Sequence, residues 1–152
     1  MKKELQEKLF NKYPLIFQQK DLSMKETCMC WGISCFEGWY FILDQLCSSI
    51  QNYIDQNDHL KIEQVQAVQV KEKFGSLRFY YQGGDDRIGG MVRLAESMSY
   101  HICEQCGSTE NVGHTKGWIY TLCEKCSSTD EKYKMWYLDI EKPIIKININ
   151  NN

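Results

Sequence analysis

The chain has 152 residues, 43% hydrophobic and 25% charged, a composition that fits a domain with its own core and excludes a low-complexity chain. Its 18 basic and 20 acidic side chains leave a net charge of −2, which argues against broad, nonspecific binding to a phosphate backbone. No run approaches the roughly 18 to 20 apolar residues of a membrane span. The charged start Met1-Lys-Lys-Glu-Leu-Gln-Glu-Lys8 leads into no secretion signal, so a reducing, cytoplasmic setting is expected. There, eight cysteines point to metal ligation or free thiols rather than disulfides.

Leu5, Leu9 and Phe10 among Lys and Glu predict a short amphipathic helix over 3–12, ended by Pro14, and the polar stretch 20–27 reads as a loop. Cys28, Cys30 and Cys35, with Cys47, could form a second metal site. However, a one-residue gap is poor ligand spacing and no His stands nearby, so buried structural thiols are the favoured reading. Trp39, Leu43, Leu46, Cys47, Ile50, Tyr53 and Ile54 recur at helical spacing and predict an amphipathic helix over 38–55, packed on a sheet. A β hairpin follows. Val68 and Val70 alternate with Gln69 and Lys71, and Leu77, Phe79 and Tyr81 with Arg78 and Tyr80, on either side of Lys73-Phe74-Gly75-Ser76. The glycine-rich segment 82–90 lacks the Gly-Lys-Ser/Thr ending of a phosphate loop and the spacing of a dinucleotide fingerprint. Asp85 and Asp86 instead cap a helix in which Ile88, Met91, Val92, Ala95, Met98, Ser99 and Ile102 form one stripe leading into Cys103.

Cys103-Glu-Gln-Cys106, sixteen intervening residues and Cys123-Glu-Lys-Cys126 match the spacing of a four-thiolate zinc site. Gly107 supplies the turn after the first pair, where a residue free to take positive φ is useful, while Ser127 follows the second. Asn111 to Thr115 and Trp118 to Leu122 predict two strands around Lys116-Gly117, with Trp118, Tyr120 and Leu122 on one face of a zinc ribbon. Cys103, Cys106, Cys123 and Cys126 would complete the tetrahedron of one structural zinc and leave no open position for chemistry. Three Glu against two Lys give residues 103–126 a side-chain charge of −1, to which a Zn(Cys)4 centre adds a formal −2, a poor surface for phosphates. Beyond it, Ser127, Ser128 or Asp130 would cap a brief helix carrying Tyr133, Trp136 and Tyr137, stopped by Pro143, and Ile145, Ile147 and Ile149 alternate as an edge strand. The expected fold is α+β: a small antiparallel sheet packed by amphipathic helices, with a zinc-ribbon lobe. It divides into an α+β core over 1–102, the ribbon over 103–126, and a C-terminal helix and tail over 127–152 packing on the core.

Tyr13-Pro14, Gly38-Trp39, Val70-Lys-Glu-Lys-Phe-Gly-Ser-Leu-Arg-Phe-Tyr80, Ala95-Glu-Ser-Met-Ser99 and the paired cysteines occur in one order across residues 5–126. In these the chain resembles a group of small proteins encoded by bacteriophages and prophages. That group often carries Cys-Gly-Asp-Gly-Trp where this chain has Cys35-Phe-Glu-Gly-Trp39. The resemblance implies a small accessory protein in the cytoplasm of a bacterial host cell and transfers no activity.

Catalytic candidates are sparse: His59, His101, His114, Asp85 with Asp86, Glu96 and a free Cys among residues 28–47. Asp85 or Asp86 joined to Glu96 would be needed to hold Mg2+ in a nuclease-like site, the minor alternative. The leading expectation is a non-enzymatic zinc-ribbon binding module that engages a host or phage protein, to inhibit or to recruit it, in host takeover or anti-defence. The alternative is a nucleic-acid or nucleotide-binding protein using Lys71, Lys73, Arg78, Arg87 and Arg93 with Tyr80 or Tyr81 for stacking.

Overall fold

A computed structural model describes residues 1–138, so the strand expected over 145–149 lies outside the described residues. The fold is α+β, as expected, with helices packed around two small three-stranded sheets. Helix α1 (Lys3–Lys12) buries Leu9 and Phe10 and is pinned to α2 (Tyr40–Gln56) where the Tyr13 hydroxyl donates to the Asp44 carbonyl at 2.9 Å. Helix α2 turns Ile42, Leu43, Leu46, Cys47 and Ile50 inward, the stripe its spacing predicts.

The first sheet holds the hairpin β2 (Gln66–Lys73) and β3 (Ser76–Gln82), closed by a two-residue turn with Phe74 at φ 54° and Gly75 at φ 75°. Its register places Val70 opposite Phe79 on the core side and Lys71 opposite Arg78 on the outer side. A parallel strand that the sequence does not predict, β1 (Ile33–Ser34), joins β2; two residues are too few to leave a periodic signal. The free edge of β3 is covered by α3 (Asp86–Ser99). Leu77 N–H donates to Ser99 Oγ at 2.8 Å and Phe79 N–H to Glu96 Oε1 at 2.9 Å, so two groups that would template another strand are taken up by helix side chains. Asp85 caps α3, accepting from Arg87 and Ile88 N–H, as expected.

The second sheet, order β5-β4-β6, comprises β4 (Val112–Thr115), β5 (Thr121–Cys123) and β6 (Trp136–Leu138). Two sequence expectations are corrected here. The strand expected from Trp118 begins only at Thr121, because the Thr115 side chain donates to Trp118 O and accepts from Tyr120 N–H, closing residues 116–120 into a loop. Trp118 is therefore 73% exposed while Leu122 is buried, and the two do not share a face. The helix expected around Tyr133 to Tyr137 is one 3-10 turn, Glu131–Tyr133, followed by β6, which pairs with the open edge of β4. A single turn leaves most of its backbone unpaired, whereas β4 offers the segment a ladder. Tyr133 and Trp136 consequently pack with Leu122, Cys103 and Cys123 in the small core of this lobe.

Several hydrogen bonds tie the two lobes at their junction. Gly38 N–H donates to Glu104 O at 2.7 Å, Trp39 Nε1 to Ile102 O at 2.8 Å, and Thr121 Oγ1 to Gly75 O. At Gly38 a Cβ would collide with Cys103 O and stand 2.6 Å from Gly107 N, so only a residue without a side chain fits. Gly38→Ala should cost about 2–4 kcal/mol in urea denaturation. Gly90→Ala, in α3 where an added methyl would meet nothing within 4 Å, should stabilise by about 0.5–1 kcal/mol. Equal effects of the two substitutions would contradict this packing.

Candidate metal centre

The chain leaving α3 reaches Cys103 through residues 100–102 and folds back immediately. Gly107 N–H donates to Cys103 O at 2.8 Å, with Gly107 at φ 79°, and Cys103 N–H donates to Ser108 O at 2.8 Å. The second pair is built differently: Cys123 ends β5 and Cys126 sits in the single turn α4 (Glu124–Ser127), whose Ser127 Oγ donates to Glu124 O at 2.7 Å. A helical turn thus does for the second pair what Gly107 does for the first. The two halves are tied by Glu104 N–H to Thr121 O at 2.8 Å and Glu124 N–H to Asn111 O at 2.9 Å.

The ligand atoms of Cys103, Cys106, Cys123 and Cys126 lie within 4.8 Å of one another, and the Cys106 and Cys123 sulfurs are 3.7 Å apart. A regular tetrahedron with metal–sulfur bonds of about 2.3 Å has edges of about 3.8 Å. These residues could hold one metal ion and supply all four of its ligands. Burial pushes the Cys103 and Cys126 thiols up, and at Cys106 burial is outweighed by the Ser108 N–H and the neighbouring sulfurs, which hold that thiol below its ordinary value. Four sulfurs this close cannot all ionise without a cation among them, which is the electrostatic demand a divalent ion answers. Cys103 and Cys123 are buried, Cys126 is half-buried and Cys106 is exposed.

Glu104, between the first two ligands, is a residue that spacing gives no reason to notice. It is 2% exposed, its Oε1 accepts from Phe36 N–H at 3.3 Å, and burial raises its carboxyl to about 7.

The other candidates are dispersed. Cys28 is exposed, Cys30 donates to Thr27 O at 3.2 Å, and Cys35 and Cys47 are buried; among the described residues only the four ribbon cysteines converge as a group of three or more potential ligands. Burial pushes the Cys35 thiol up to about 12 and the Cys47 thiol higher still. Asp85 and Glu96 stand eleven residues apart on one helix, about 16 Å at 1.5 Å per residue, too far to share an Mg2+. His59 and His101 are exposed, and His114 is fully buried with its ring stacked on Tyr100 at 3.8 Å. Of the expected binding surface, Lys71, Lys73, Arg78 and Tyr80 share the outer face of the hairpin, Arg93 meets Arg78 across a cleft, and Arg87 lies apart over the Tyr53 ring.

Beside the cluster runs a groove of about 610 Å3 between α2 and α3. Phe41, Leu94 and Met98 form its exposed walls, Leu46 and Ala95 its floor, and Cys106 and Gly107 close one end. Periodicity assigns Met91 and Met98 to the core; α2 and α3 splay enough to leave them lining open space. No helix among the described residues is long and apolar enough to cross a membrane. No family model, curated protein or solved structure matches the chain.

The protein purified under reducing conditions should contain one metal ion per chain by elemental analysis. N-ethylmaleimide on the native protein at pH 8 should label Cys28 first and spare Cys35 and Cys47, whose raised pKa values keep them neutral there. It should reach Cys103, Cys106, Cys123 and Cys126 only after chelation. Two ions per chain, or equal labelling of the ribbon thiols and Cys28 before chelation, would contradict the assignment.

Proposed function

We propose that this chain is a non-enzymatic zinc-binding module of phage or prophage type, acting in the cytoplasm of a bacterial host cell, that seizes and inhibits a host or phage protein. The metal is zinc: four thiolates at tetrahedral edge distances suit it, and with every coordination position taken by protein it holds structure rather than activating water. Ordered motifs shared with phage-encoded proteins support the setting.

The observation that carries the binding role is the α2–α3 groove. Its methionines adapt to varied partners, its walls expose Phe41 and Leu94 at 68% and 62%, and its α2 side presents the uncharged Gln45 and Ser49. A helix presenting an apolar stripe fits such a channel, so the proposed occupant is an amphipathic helix of the partner protein. Because Cys106 and Gly107 form the groove's end, the metal would shape the binding surface as well as the ribbon.

The test is capture from infected cells with tagged wild type and with Leu94→Glu, both checked for fold and metal content. Wild type should retain a specific partner and Leu94→Glu at least tenfold less of it, the loss expected when a buried anchor is replaced by a charge. A photo-crosslinker at position 98 should join that partner through a helical segment. Equal capture by both proteins, or crosslinks only to a second copy of this chain, would refute the reading.

A further inference from the structure

The opposite side of α3 carries a feature of different chemistry, independent of the groove. Between its C-terminal half and the hairpin tip lies an open cleft of about 550 Å3 bordered by Phe74, Ser76, Arg78, Arg93, Glu96 and His101. That volume falls in the range of about 300–1,000 Å3 typical of small-molecule sites.

Three observations about these residues point the same way. Lys71 and Arg78 face each other directly across the β2–β3 ladder, a like-charge pairing that works against the sheet, and neither they, Lys73 nor Arg93 forms an ion pair among the described residues. Of these four cations Arg78 and Arg93 border the cleft, and with Glu96 the one carboxylate there, already accepting from Phe79 N–H, the lining keeps an excess of one positive charge on a chain whose net charge is −2. Second, Arg78 is held in place: its Nη1 donates to Ser76 Oγ at 2.6 Å and to Leu77 O at 2.7 Å. The remaining guanidinium donors keep a fixed orientation, as recognition of a planar or tetrahedral anion requires. Third, Phe74 occupies the left-handed region at φ 54° with its ring 68% exposed. Asn suits that turn position far better, and beyond the Lys73 ammonium 5.4 Å from its centroid the exposed ring adds little to the fold, so neither turn geometry nor burial accounts for Phe there.

We infer that this cleft binds the phosphate of a nucleotide, with Arg78 and Arg93 gripping the phosphate and Phe74 stacking on the base. A phosphate ester needs fixed cationic donors and the base needs a flat apolar surface, and the cleft places both at one hairpin tip. His101 stands at its border as a further hydrogen-bond donor. The same chemistry is offered by a free mononucleotide and by a single strand, which the experiment separates.

Calorimetric titration of the metal-loaded full-length chain would use AMP, adenosine, inorganic phosphate and a short 5′-phosphorylated oligothymidine. Saturable binding of AMP or of the strand, with adenosine at least tenfold weaker than AMP, is the expected result, and whichever of the two binds more tightly identifies the source. Arg93→Gln, at an exposed position, should weaken the preferred ligand at least fivefold with fold and metal content unchanged. Phe74→Asn separates binding from architecture: it should raise the Tm by relieving the turn while weakening binding by about 5- to 100-fold, the effect of one lost base–aromatic contact. Absence of saturable binding by AMP and by the strand, or binding unaffected by both substitutions, overturns the inference. Inorganic phosphate binding as tightly as AMP, with no effect of Phe74→Asn, overturns the assignment to a nucleotide.

Discussion

The close approach of Gly38 to the turn between Cys103 and Gly107 is the constraint on which the remaining architecture hangs. A backbone lying directly on another backbone leaves no room for adjustment. The Gly38 N–H bond to Glu104 O and the Trp39 indole bond to Ile102 O fix the start of α2 to the exit of α3, and the first cysteine pair lies between them. A metal held by Cys103 and Cys106 would therefore be mechanically connected to the two longest helices of the core. A four-cysteine site contributes folding free energy when it fills. Here that free energy would be felt at α2 and α3 as well as within the ribbon.

The same reasoning accounts for segments that otherwise read as unexplained motifs. Ala95-Glu-Ser-Met-Ser99 supplies Glu96 and Ser99 to the edge of β3, and Ala95 to the floor between the helices. The Phe74-Gly75 turn reaches the second lobe, where Gly75 O accepts from Thr121 and the Gly75 position lies against Ile119 and His114. Each is a place where two elements distant in sequence must fit without slack. Cys35-Phe-Glu-Gly-Trp39 runs beside this interface, and its Gly38 and Trp39 make the contacts.

Much of this is legible from periodicity and spacing, because those signals are local. The four cysteines, the hairpin, the Asp85 cap and helices α1 to α3 all follow from patterns within about twenty residues. What escapes is set by distant partners. The two residues of β1 form a strand only because β2 lies beside them, and β6 replaces an expected helix because β4 has an open edge. Trp118 looks like the first residue of a strand, but the Thr115 side chain closes the intervening loop first. Glu104 sits in a ligand spacer that spacing alone treats as arbitrary, and its burial arises from Phe36 and Gly38, more than sixty residues earlier.

Helix α3 shows why one apolar stripe is too simple a description. Its residues fall into three rows. Ile88, Val92, Ala95 and Ser99 enter the core or seal the sheet edge; Met91, Leu94 and Met98 line the apolar groove; Arg93 and Glu96 border the cationic cleft. At 3.6 residues per turn these rows divide the circumference of a fourteen-residue helix, so little of its surface is left to solvent alone. Gly89 and Gly90 lower the intrinsic helix propensity near its start, and Asp85 with the Tyr53 hydroxyl offsets this by anchoring the first turn. The other end is anchored by the Trp39 indole on Ile102 O, one residue before the first cysteine. A helix fixed at both ends holds whatever its two outer rows present in one orientation, and the four-cysteine cluster stands at the end where the apolar groove closes on Cys106 and Gly107.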